Sequence, residues 1–99
     1  MTINEIYTLS IEKGIDADPR GRERVEKLME CNREKFAKLS DTEKEDFDKE
    51  SLENPYSDTR ILHIAEDKEI KKVLVGIDIE ASEILLAKQL GDIDLVISH

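Results

Sequence analysis

The chain has 99 residues, 24 of them acidic and 15 basic, for a net charge of -9. This length holds one domain at most, with one modest core and no room for a deeply enclosed active site. Basic residues scattered among acids disfavour a nucleic-acid partner, which needs a clustered positive surface. No apolar run approaches the roughly 20 residues that span a bilayer, and the opening residues lack the basic and apolar regions of a secretory signal, so a cytoplasmic protein is expected.

The first part of the chain, residues 1–53, reads as helical and acidic. Thr2 followed by Glu5 fits a capping box, and Ile3, Ile6, Tyr7 and Ile11 then share one helical face. Gly14 suits a left-handed stop. Asp18 and Pro19 predict the cap and first turn of a second helix. There Val25, Leu28, Met29, Asn32, Phe36 and Leu39 recur at three- and four-residue steps, while the opposite face is charged. Cys31, the single cysteine, lies in this stretch with no second cysteine or histidine at ligand spacing, and is expected to be a buried or half-buried thiol. Ser40 and Glu43 form a second capping box, opening a short, charged helix anchored by Phe47.

Asn54-Pro55 breaks the pattern, and residues 54–59 read as a loop. Residues 54–99 then predict strand, strand, helix, strand. Residues 61–64 alternate as a short strand that carries His63. Residues 73–79 are nearly continuous in apolar character, as in a strand covered on both faces. Residues 81–90 form a helix closed by Gly91, with Ile84, Leu85, Ala87 and the Lys88 stem against the sheet. Residues 93–97 form a further apolar strand. The fold class is thus α/β: amino-terminal helices followed by a βαβ unit of a parallel or mixed sheet within a larger domain.

Ligands in parallel α/β sheets gather at the carboxyl ends of the strands. Asp78 closes one strand there, and Ser98-His99 closes the next. An imidazole and a carboxylate on one sheet edge can begin a metal site, although two residues are too few to hold a metal. His63 reads as a half-exposed structural histidine. Gly76 reads as a close-packing glycine inside a strand.

Residues 72–99, which end Asp-Leu-Val-Ile-Ser-His, resemble the NIF-three-like family, whose members are also described as GTP cyclohydrolase I type 2 homologues. The Asn-Pro-Tyr-Ser-Asp-Thr-Arg-Ile-Leu of residues 54–62 resembles that family's lead into the sheet. The resemblance implies a hydrolase-like protein with two divalent metal ions. It makes His99 the first residue of a ligand-bearing His-His pair and puts Asp78 near the site without a ligand role. The later ligands are not within these residues, so the chain alone is expected to bind metal weakly and to be inactive. The expected partners are the missing carboxy-terminal portion or a second copy, through an open apolar edge. A competing expectation is a non-enzymatic module whose acidic helical half binds a protein.

Overall fold

A computed structural model describes residues 1–99 throughout. The elements in order are α1 (Ile3–Ala17), α2 (Arg22–Ala37), α3 (Asp41–Asp46), a 3-10 turn (Lys49–Leu52), β1 (Val73–Gly76), α4 (Ala81–Leu90) and β2 (Leu95–Ser98). They group into two compact units, Tyr7–Leu62 and Met1–Ile6 with His63–His99. Residues 54–62, expected to lead the sheet half, group with the helices.

In the helical unit, Ile11 and Ile15 of α1 meet Val25 and Met29 of α2, with Tyr7 and Tyr56 packed at the edge. Gly14 does not end α1, and its φ is not positive. Its role is close approach, since a Cβ there would lie 3.0 Å from the Tyr56 ring. Asp18 likewise does not cap α2. Its carboxylate accepts from the backbone N–H of Arg20 at 3.0 Å, closing a tight turn, and α2 starts after Gly21, whose φ is 85°. On α2 the apolar stripe is narrower than its spacing suggests. Val25 and Met29 are buried and Phe36 is half-buried, but Leu28 is 45% exposed. Cys31 is exposed, contrary to expectation, because it lies across the helix from Val25 and Met29.

The Ser40 cap forms as expected, with its Oγ accepting from the Glu43 N–H at 3.3 Å. The short α3 is held through Phe47, whose ring lies 5.2 Å from that of Phe36. The loop that follows is tied by Asn54, which is 1% exposed. Its Nδ2 donates to the Thr59 carbonyl at 2.7 Å and the Tyr7 hydroxyl at 2.9 Å, while its Oδ1 accepts from the Tyr56 N–H at 2.8 Å. Arg60 forks onto Asp48 and Glu50 and also donates to the Ser57 carbonyl. These two carboxylates, Asp48 foremost, raise the guanidinium pKa further.

In the sheet unit, β1 and β2 pair in parallel, Val73 opposite Leu95 through Gly76 opposite Ser98. The helix between them ends at Gly91, φ 79°, as its position predicts. A capping box between Glu80 and Glu83 begins it. The strand expected at residues 61–64 does not form. Its backbone has no ladder partner, and Leu62 is 93% exposed. A strand pattern yields a strand only where a neighbour accepts its hydrogen bonds. The chain is therefore mixed α/β: four helices and a two-stranded parallel sheet.

The sheet unit is thinly covered. Strand alternation and the observed register put Val73, Val75 and Ile97 on one face, where they are 39%, 68% and 40% exposed. On α4, only Glu83 and Ala87 are half-buried. Ile84 and Leu86 flank them on opposite sides at the helical 100° step and stay 51% and 47% exposed. Leu85, expected against the sheet, points away at 55% exposure.

Candidate functional site

The carboxyl ends of β1 and β2 carry the candidate chemistry. Gly76 and Ser98 are paired, and one residue further on the His99 N–H donates to the Gly76 carbonyl at 3.0 Å. The chain thus brings the His99 backbone beside the end of β1, and Asp78 follows Gly76 by two residues in the bend toward α4. Both side chains are exposed. His63 is exposed in the irregular stretch before β1, not half-buried within a strand. Gly76 packs closely, as its place in a strand suggests, since a Cβ there would lie 2.5 Å from the end of the Ile79 side chain.

The amino ends of the same strands are held by Asp94. Its Oδ2 accepts from the backbone N–H groups of Lys71 and Lys72 at 2.9 and 3.0 Å, and its Oδ1 forms an ion pair with Lys68 Nζ at 3.1 Å. Its own N–H donates to the Lys72 carbonyl at 2.9 Å. The Lys71 N–H, the Lys68 ammonium and the Lys72 N–H together lower the carboxyl pKa to about 2. Sequence reasoning passed over this residue. The available signal was an acid embedded at the start of an apolar strand, a place a charge occupies only with partners.

As a metal site the arrangement is partial. Catalytic zinc sites bring three protein ligands, and no group of three or more His, Cys, Asp or Glu side chains converges in the structure. His99 is an exposed imidazole at the strand end where α/β proteins bind ligands. No chemical step through a metal follows from these residues alone.

In the helical unit, an open cavity of about 380 Å³ is lined by Ser10, Gly14, Tyr56 and the loop from Pro55 to Thr59. Its lining carries one charged residue, the acid Asp58, and no basic one. The Tyr56 hydroxyl donates to Asp18 at 3.0 Å, and burial followed by that bond raises its pKa. Tyr7 is likewise held neutral, by burial first and then by its bond to Glu50. These groups tie the loop to the helices. No helix is long and apolar enough to cross a membrane. No family profile, curated protein or solved structure matches the chain.

Proposed function

We propose that this chain is the amino-terminal portion of a NIF-three-like dinuclear-metal protein, hydrolase-like when complete and inactive alone. In this reading β1 and β2 are interior strands of a wider sheet, and His99 supplies the first imidazole of the metal site. The resemblance of residues 72–99 names the family, and one structural observation supports the larger domain. The βαβ unit leaves apolar side chains open on its bare sheet face (Val73, Val75, Ile97) and on both flanks of α4 (Ile84, Leu86).

A helix over a complete sheet is flanked by neighbours on both sides, and a parallel sheet is covered on both faces. Apolar exposure in all these directions is what two strands cut from the middle of such a sheet would show. The edges of the pair also offer unpaired backbone to a further strand or a second copy.

The test is metal content after dialysis of a longer chain that carries the residues following His99 in the gene. Two divalent ions per chain are expected, and His99→Ala should remove at least one. A longer chain that holds no metal overturns the proposal.

A further inference from the structure

We infer that Asp94 is a positioning residue for His99. It sets the register of the parallel pair from the strands' amino ends and so decides where the imidazole at their carboxyl ends is presented. The inference rests on the reading of His99 as a metal-facing side chain, but its core concerns register and stands on geometry.

Register in a sheet is ordinarily chosen by the alternation of apolar and polar residues, because a one-residue slip exchanges the two faces. These strands carry no such alternation. Val73, Leu74 and Val75 are apolar in succession, and so are Leu95, Val96 and Ile97. Slipping one strand by a residue would set apolar against apolar again, so hydrophobic burial selects the register weakly. Asp94 supplies what the pattern lacks.

Its carboxylate engages two successive N–H groups, those of Lys71 and Lys72, and its own N–H reaches the Lys72 carbonyl. A single residue is thereby matched to one dipeptide, and a slip would break all of these bonds together. Charge-assisted bonds of this kind are roughly twice as strong as neutral ones. From that pin the pairing runs Val73–Leu95, Leu74–Val96, Val75–Ile97 and Gly76–Ser98, delivering the His99 N–H to the Gly76 carbonyl. A slip of one residue would turn the His99 side chain to the opposite face of the sheet.

The neighbouring ion pair, Lys72 Nζ to Asp92 Oδ2 at 2.6 Å, joins two side chains that are 58% and 59% exposed. It touches no backbone group, so it supplies a control of similar charge without a grip on register.

The experiment is NMR of the 99-residue chain, dilute enough to limit self-association, as the parent and as Asp94→Ala, Asp94→Asn and Asp92→Ala. Cross-strand contacts between Gly76 and His99 report register, and signals of Val25 and Met29 report that the helical unit is folded. Substoichiometric copper(II), which broadens amides near an exposed imidazole, reports what His99 faces.

The parent and Asp92→Ala should show the Gly76–His99 contact and broadening at residues 76–78. Asp94→Ala should lose that contact and at least half of that broadening. Asp94→Asn, which keeps the shape and one acceptor oxygen, should retain a weakened contact even if the alanine variant's sheet unit unfolds. Retention of both readouts in Asp94→Ala overturns the inference, as does a loss in Asp92→Ala equal to that in Asp94→Ala. Copper that broadens nothing at residues 76–78 of the parent overturns the metal-facing reading of His99, and the cross-strand contacts still decide register.

Discussion

Replacing Asn54 by alanine should be the most costly single polar substitution in the helical unit. The side chain is 1% exposed and makes three hydrogen bonds, to the Thr59 carbonyl, the Tyr7 hydroxyl and the Tyr56 N–H. Each such bond contributes about 1 kcal/mol net, so the loss is about 3 kcal/mol before any penalty for the groups left behind. Of those groups, the Tyr56 N–H and the Thr59 carbonyl are part-buried, so losing their partner adds to the cost. Total stability for a small domain is on the order of 5–15 kcal/mol, and urea slopes for small proteins begin at about 1 kcal/mol per molar. The urea midpoint, followed by circular dichroism, should therefore fall by about 2–3 M. Asn54→Asp should be worse than alanine at neutral pH. It would aim a carboxylate oxygen at the Thr59 carbonyl, beside a Tyr7 hydroxyl already committed to Glu50. A loss below about 1 kcal/mol for alanine, or an aspartate variant as stable as the parent, would refute this account of the loop.

Three further outcomes follow from the same structure. Phe36→Ala should cost about 1.5–2 kcal/mol by chemical unfolding, half of a full-burial value, because the ring is half-buried and packs mainly on Phe47. A cost above about 3 would mean the ring is enclosed. Cys31 is exposed, so a thiol reagent should modify it in the folded chain about as fast as in urea; strong native protection would contradict its placement. Asp94 has a folded pKa lowered to about 2 from 3.8, so its stabilisation is present in full above about pH 4 and is lost as pH falls through 2. The Lys71 and Lys72 amide shifts should titrate with that midpoint, and a midpoint near 4 would show that the clamp does not form.

How far these features could be read in advance depended on whether a residue's role was local. The caps at Thr2 and Ser40, the extent of α4 and its stop at Gly91 are decided within a turn of chain, and each forms where the residues suggest. The βαβ order was also legible, since two apolar runs joined by a short helix leave few alternatives. Gly14 misled because a glycine serves either a positive φ or a close neighbour. Its neighbour, Tyr56, is 42 positions away in sequence. Asp18-Pro19 misled because an aspartate that caps a turn has the same local signature as one that caps a helix. Asn54 looked like a breaker and is one, but its burial depends on Tyr7 and could not be seen from the loop alone. Leu28 kept its place on the helical stripe and found no opposing element. At the candidate site, His99 follows directly on β2, whereas β1 stops at Gly76 and leaves Asp78, expected to close that strand, two residues beyond it in a bend. The grip of Asp94 on the Lys71 and Lys72 amides required the register itself.

In the proposed reading β1 and β2 are interior strands of a wider sheet, with α4 packed between neighbours above it. Amide hydrogen exchange tests it most directly, by comparing the 99-residue chain with the longer chain under identical conditions. In the short chain, the amides of β1 and β2 should exchange within a few tens-fold of unstructured rates, because their pairing is flanked by open edges and exposed apolar side chains. In the longer chain they should become the slowest in the molecule, with the flanks of α4 protected alongside them. Equal exchange in the two chains would contradict the claim and leave the βαβ unit as a finished, if sparsely covered, structure.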